Sequence, residues 1–438
     1  MSKYKVYSSY KDSGVDWLGD VPESWEVENL KYAIDMIQTG TTPSTKESAY
    51  YNGNVNWFNP TDLNSQILTS STKQVTHKAI QEGACRMFPS DSILIVGIGA
   101  TAGKTSYLES EDSSFNQQIT GFYSKTNYNK YLFYLMKSFS DTLLATANFT
   151  TLVILNNDFF KAFTIVVPPI QEQKTIANYL DIATAKIDTL IEKQTRLIAL
   201  LKEKRQAVIS TAVTRGLDSS VPMKDSGVEW LGEIPVGWEV KKLKYLGDAI
   251  IGLTYSPANI VDENNGTLVL RSSNLQDGGL YYGDNVYVNS NIPDKLITRD
   301  GDIVICSRNG SRKLIGKNAM IDKNSAGVSF GAFTSVFRSN KNPFIFYVLN
   351  SSLFKYQSGR FMTTTINQLT TGTLNEFQIA LPPKQEQLDI VQYLKTKTSK
   401  IDTLITKATK AIDLLGERRT ALISAVVTGK VDVRGEIT

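Results

Sequence analysis

The run Gly97-Ile98-Gly99-Ala100-Thr101-Ala102-Gly103-Lys104-Thr105 is the first place where this sequence invites chemistry. Backbone N–H groups of a glycine-rich loop cradle phosphates, and a lysine reaches the outer ones. That loop needs glycine, four residues and then Gly-Lys-Ser/Thr, so position 98 would have to be glycine, and it is Ile98. The matching segment of the second half, residues 310 to 318, misses by the same one residue and ends in Asn318. Nucleotide binding is not expected. Asn59-Pro60-Thr61-Asp62 lacks the second proline and the aromatic ring with which amino-methyltransferases grip an extruded base, and neither Pro168-Pro169 nor Pro382-Pro383 has the required residue in front. His77, Cys85 and Cys306 are too few and too scattered for a zinc site. With one histidine and no glycine fingerprint opening a βαβ unit, neither methyl transfer nor hydrolysis has a residue set.

Binding chemistry is better represented. Residues 307 to 318 carry Arg308, Arg312, Lys313 and Lys317 with no acid, together with Asn309, Ser311 and Asn318. Arginine pairs bidentately with guanine and asparagine with adenine, while lysine and serine suit phosphates. The corresponding loop of the first half, residues 97 to 106, is less charged and offers Lys104 and Thr105. It is followed by Asn116, Gln117 and Gln118, amides suited to adenine in a major groove. Arg271, Ser272 and Asn274 complete the candidate set, because Val269-Leu270-Arg271-Ser272-Ser273-Asn274-Leu275 faces Trp57-Phe58-Asn59-Pro60-Thr61-Asp62-Leu63.

Such loops need a frame, and the frame is a repeat. Residues 11–32 return as 224–245 with 15 of 22 positions identical, and residues 168–218 return as 382–432 with 28 of 51 identical. Each copy has a lead-in segment, a middle and a C-terminal arm. The middles, 33–167 and 246–381, are nearly equal in length but share only landmarks, among them Gly103-Lys104 and Gly316-Lys317. Compact β-rich runs at 92–96 and 302–306 and short amphipathic helices near 131–137 and 344–351 make each middle an α+β globule. The arms show a seam at Leu180, Ala183, Ile187, Leu190, Gln194, Leu197, Leu201, Lys204 and Val208, repeated at Leu394, Lys397, Ile401, Leu404, Ala408, Ala411, Leu415, Arg418 and Leu422. Spacings of three and four predict two long helices, ending near Gly216 and Gly429, that pair as an antiparallel coiled coil about an internal pseudo-twofold axis. The expected segments are 1–167, 168–216, 217–381 and 382–438. Alike arms and unlike middles fit one shared partner and two different targets.

Composition sets the class. A 438-residue chain that is 41% hydrophobic buries real cores, and 47 Lys+Arg against 43 Asp+Glu permits a nucleic-acid partner without demanding one. The opening MSKYKVYSSYKDSG has no apolar signal core, and the longest uncharged apolar run, 93–102, is far short of a membrane span. A soluble cytoplasmic protein with no membrane partner is expected, the two separate thiols fitting a reducing compartment.

The segments KDSGVDWLG and KDSGVEWLG, the PPIQEQ and PPKQEQ junctions, the KIDTLI helices and their VISTAVT and LISAVVT ends resemble the specificity subunit of type I restriction-modification systems. The likeness runs over essentially the whole chain. It implies two target-recognition domains, each reading one half of a split double-stranded DNA sequence, with paired helices that separate them and dock two modification (methyltransferase) subunits. It implies no catalysis and no cofactor on this chain. S-adenosylmethionine would belong to the modification subunits, and ATP and magnesium to restriction (motor-nuclease) subunits where these are present. A subunit of a methylation-only system and a coiled-coil scaffold that reads no DNA are the alternatives.

Overall fold

In this computed structural model residues 5–111, 113–146, 154–276, 278–361 and 368–435 are described. The chain divides into two compact units, residues 1–194 with 410–438 and residues 195–409. The helical segments expected at 168–216 and 382–438 are therefore each shared between the units.

The two units repeat one topology. In the first, β1 (Met36–Thr39), β2 (Tyr51–Phe58), β3 (Ile93–Val96), β4 (Thr105–Leu108), β5 (Ser113–Phe115) and β6 (Ile119–Tyr123) precede helices α1 (Asn129–Ser138) and α2 (Ile170–Arg215). In the second, β7 (Asp248–Ile251), β8 (Thr267–Leu270), β9 (Ile303–Cys306), β10 (Asn318–Met320), β11 (Ser329–Phe330) and β12 (Thr334–Arg338) precede α3 (Asn342–Leu349) and α4 (Lys384–Val427). The main sheets run β1-β6-β3-β4 and β7-β12-β9-β10 in antiparallel order, the first extended by Ile67–Leu68. Their central strands, Ile93–Val96 and Ile303–Cys306, are buried at every residue, which is why they read as unbroken apolar runs. Beside each main sheet lies a parallel pair, β2 with β5 and β8 with β11.

The repetition of the flanks has a packing reason. Trp25 and Trp238 are fully buried, and their indoles donate to Glu172 Oε1 at 3.1 Å and to Glu386 Oε2 at 2.9 Å. The next residues, Gln173 and Gln387, return an amide hydrogen to Pro168 O and Pro382 O at 2.9 and 2.7 Å. The repeated Trp-Glu-Val and Pro-Pro-x-Gln-Glu-Gln motifs are thus one lock, tying the lead-in segment to the first turn of its helix. In the first unit Tyr7 Oη adds a 2.6 Å bond to Glu172. Burial, with that carboxylate behind it, holds the Tyr7 phenol well above the usual range. Glu172→Ala strands two buried donors and is expected to cost about 2 kcal/mol. Glu386→Ala strands one and costs less; equal loss of hydrogen-exchange protection around Trp25 and Trp238 in the two variants would contradict the assignment.

Helices α2 and α4 have 46 and 44 residues, longer than the seam predicts, because each starts directly after its proline pair. Within the first unit Leu180 and Ile187 of α2 share a core with Leu422, Ile423 and Val426 of α4. The helices run antiparallel: Asp188 meets Arg419 at 3.0 Å in the first unit and Arg205 meets Asp402 at 2.8 Å in the second. Seven of the eighteen predicted seam positions are buried, five are half-buried and six are exposed. Leu180, Ile187 and Leu201 are buried, as are Leu394, Ile401, Ala408 and Leu422, but Leu190, Leu197 and Leu404 are exposed, as are Lys204, Lys397 and Arg418. The neighbouring row, 184, 191, 198 and 205 with 398, 405, 412 and 419, faces inward in their place. Thr184 and Thr398 are buried because each hydroxyl donates to the carbonyl four residues back, Leu180 O at 2.7 Å and Leu394 O at 2.8 Å. A threonine satisfied by its own helix is cheap to bury, and hydropathy alone selects the wrong leucines.

No helix among the described residues is long and apolar enough to cross a membrane.

Candidate nucleic-acid interface

The loops singled out in the two middles occupy the same place in their units. Residues 97–104 join β3 to β4, and residues 307–317 join β9 to β10. The Gly-Lys landmark closes each hairpin. Gly103 N donates to Val96 O at 2.8 Å and Val96 N to Lys104 O at 2.9 Å, while Gly316 N donates to Cys306 O at 2.9 Å and Cys306 N to Lys317 O at 2.7 Å. Both glycines have positive φ, 85° and 83°. The near-miss phosphate loop is therefore a hairpin turn that needs glycine for its backbone.

Around each hairpin the neighbours also correspond. Asp62 Oδ2 accepts from Asn59 N, and Asn274 Oδ1 from Arg271 N, both at 2.8 Å, so one side-chain cap shapes the loop after β2 and the loop after β8. Thr41 N donates to Phe115 O at 2.9 Å and Leu253 N to Phe330 O at 2.7 Å. Gly97 N donates to Gln118 O at 2.7 Å and Ser307 N to Phe333 O at 2.9 Å. In each unit the loop after the first strand, the loop after the second and the two turns around the central hairpin therefore converge on one face. Register makes Asn59 the counterpart of Arg271, and Asn116, Gln117 and Gln118 the counterparts of Gly331, Ala332 and Phe333.

The chemistry on that face differs. In the first unit it is amide-rich and nearly uncharged. Gln117 is exposed and accepts from Thr42 Oγ1. Lys104 is exposed and donates to Asn64 Oδ1 at 2.7 Å, and Thr105 Oγ1 donates to Gly103 O at 3.0 Å. Gln118 is half-buried. In the second unit the face is cationic and aromatic. Arg308, Ser311, Arg312 and Lys313 are exposed, and the Arg308 guanidinium lies 5.2 Å from the centroid of Phe333, itself 58% exposed. Asn309 Nδ2 donates to Ser272 Oγ at 3.3 Å, linking the basic loop to the loop after β8, and Lys317 is half-buried beside it.

Three candidates serve the frame. Asn116, Asn274 and Asn318 are buried at 7%, 0% and 4% exposure. Asn116 bonds Asn59 and Gln118, Asn274 donates to Tyr281 O at 2.9 Å, and Asn318 donates to Gly316 O at 3.0 Å. Their amides shape loops and do not face outward as the sequence reading expects. That reading aligned Asn59 with Arg271 without making it a candidate, and missed Thr42, Tyr255, Asp284 and Phe333, which reach the face only through strand pairing; the available signal was an aromatic set directly after Gly331-Ala332.

Neither thiol is poised as a thiolate at neutral pH, since burial raises Cys85 and pushes Cys306 up to about 11. Among the described residues no group of three or more His, Cys, Asp or Glu could hold a metal ion.

The family model for the type I restriction modification DNA specificity domain matches this chain twice, at residues 22–200 and 235–413. The chain belongs to that family. This specificity-family chain is 26% identical over 432 residues to the type I restriction enzyme MjaVIII specificity subunit of Methanocaldococcus jannaschii, covering 94% of each chain. It is 24% identical over 447 residues to the MjaIX specificity subunit of the same organism, covering 99% of each. Among solved structures it resembles a chain described in terms of complex assembly and conformational transition of the type I R-M system, with TM-score 0.68 and 17% identity over 95% of this chain and 99% of that one. It also resembles the HsdS subunit from Thermoanaerobacter tengcongensis, with TM-score 0.51 and 15% identity over 94% and 98%. At these identities the structural likeness is one of fold: α+β units with long helices.

Proposed function

We propose that this chain is the sequence-specific DNA-recognition subunit of a type I restriction-modification complex. Each unit reads one half of a bipartite double-stranded target with the face at its central hairpin, and α2 and α4, with their lead-in segments, dock two methyltransferase subunits. One observation carries the reading: the two faces are framed by corresponding backbone hydrogen bonds while their hairpin loops differ in length and side chains, amides in the first and arginine, lysine and aromatic groups in the second. Two binding modules with one scaffold and two chemistries suit two unlike half-sites, because base edges are distinguished by the donors and acceptors presented to them. The repeated Trp-Glu lock and helices suit a partner present in two copies. In this reading the chain contributes no bond-making residue. S-adenosylmethionine serves on the modification subunits, and ATP with magnesium on restriction subunits in a system that cleaves. Lys104, Gln117, Arg308, Arg312, Lys313 and Lys317 are the first residues to test for DNA contact.

The experiment is genome-wide detection of methylated adenines in cells that express the chain with a candidate modification subunit, compared with the modification subunit alone. A split motif that appears only with the chain, and changes in one half when residues 33–167 are exchanged for another middle, is the expected result. A stable complex with an active methyltransferase that yields no motif would overturn it.

A further inference from the structure

At the end of β8 the second unit has a cavity of about 510 Å³ whose lining includes Tyr255, Arg271, Asp284 and Phe333. Arg271 is fixed there from both ends. Its backbone N–H is capped by Asn274, and its Nη2 donates to the Asp284 backbone oxygen at 3.1 Å and forms an ion pair with Asp284 Oδ2 at 2.7 Å. Its Nε is buried without a hydrogen-bond partner.

This arrangement is ill suited to a phosphate. Phosphate contacts draw their strength from net positive charge, and a carboxylate at 2.7 Å cancels much of it and repels the incoming anion. A fixed guanidinium with its charge offset is instead suited to neutral acceptors; with Nε buried and Nη2 given to Asp284, the two hydrogens of Nη1 are left to donate, and the adjacent acceptors on a base edge are guanine O6 and N7. The exposed ring of Phe333 offers the base an apolar wall on the same cavity. In the first unit the register places Asn59 where Arg271 stands and Ser71 where Asp284 stands, so this pair belongs to the second unit only.

We propose that Arg271, held by Asp284, is a specificity-determining residue that takes a guanine in the half-site read by the second unit. The proposal rests on the DNA-reading function above and adds which residue reads which base, with Asp284 as a positioning residue.

The test is the same methylation assay with the full chain carrying Arg271→Gln or Asp284→Asn, each co-expressed with the modification subunit. With the unaltered chain the motif contains a guanine in the half-site of the second unit. R271Q is expected to weaken the preference for that guanine at least about fivefold, leaving the other positions and the other half-site unchanged. D284N, which frees the guanidinium and unmasks its charge, is expected to relax the same position to a smaller extent while total methylation is retained. A motif unaltered at every position in R271Q, or an even loss across both half-sites from an assembled complex, overturns the proposal. Should R271Q fail to assemble, D284N decides alone: no change at any one position overturns it. If the unaltered chain directs no motif, the DNA-reading function itself has failed, an outcome distinct from an intact motif that is indifferent to Arg271.

Discussion

Insertion of seven residues into both α2 and α4, after Gln194 and after Thr409, is expected to lengthen the unread spacer of the methylated motif by about three base pairs and to leave both half-sites intact. Both helices pass from one compact unit to the other at these points. Seven residues add about 10.5 Å of helix, and each duplex step takes about 3.4 Å. A heptad is the least disruptive increment, since it restores the inward rows 180, 184, 187 and 191 and their α4 counterparts to nearly the same face. Insertion in one helix alone breaks the pairing register that joins Asp188 to Arg419 and Arg205 to Asp402, and is expected to abolish methylation. The motif from modified-base sequencing checks both. An unchanged spacer in the double insertion would sink the idea that helix length measures the target.

Lys137 is expected to make the stability of the first unit rise with pH between about 8 and 10.5, and Lys137→Met is expected to remove that contribution. Lys137 of α1 donates to Gln66 Oε1 at 3.0 Å, and the same oxygen receives Arg419 of α4, which is ion-paired with Asp188. Burial first, then the Arg419 charge, lowers the Lys137 ammonium from 10.5 to about 8, against the pull of Asp188. Burial raises the Cys85 thiol and the Tyr7 phenol of this unit, which act in the opposite direction but alike in both proteins, so the Lys137 effect is the difference between the two. Burial, with Asp181 behind it, keeps the Tyr134 phenol well above its ordinary range, and Asp181 outweighs the burial of Lys130 and raises it. Below about pH 8 Lys137 is charged in both folded and unfolded chains and its full cost is present. Between 8 and 10.5 the unfolded chain holds a proton that the folded chain has released, so stability increases with pH. The shift corresponds to about 3 kcal/mol, and K137M is expected to be more stable at pH 7 by a similar order. Urea unfolding of both proteins at pH 7, 8, 9 and 10, read through amide exchange in α1, checks this; parallel curves would refute it.

Much of this molecule is legible in the sequence. Identity between residues 11–32 and 224–245, and between 168–218 and 382–432, fixes a duplicated unit. Three-and-four spacing gives two long helices, and Gly216 and Gly429 take the positive φ, 75° and 73°, that ends them. The alignment of residue 59 with 271 and of Gly103-Lys104 with Gly316-Lys317 also follows from the sequence, because turns that need one backbone shape retain the residues that permit it.

Tertiary structure decides what sequence spacing cannot. Thr184 and Thr398 are buried while Leu190 and Leu404 are exposed, because a hydroxyl bonded to its own helix costs little inside and the partner helix selects the face. Asn274 and Asn318 read as base contacts but shape loops, because burial leaves backbone groups as their partners. Asp284 and Phe333 lie 13 and 62 residues beyond Arg271 in the sequence, and only strand pairing brings all three to one cavity. Sequence by itself determined the repeat, the helices and the turns, which depend on local backbone preference and periodicity. The choice of side chains that share a surface belongs to the packing of distant strands, and on that surface the DNA-reading function is expected to rest.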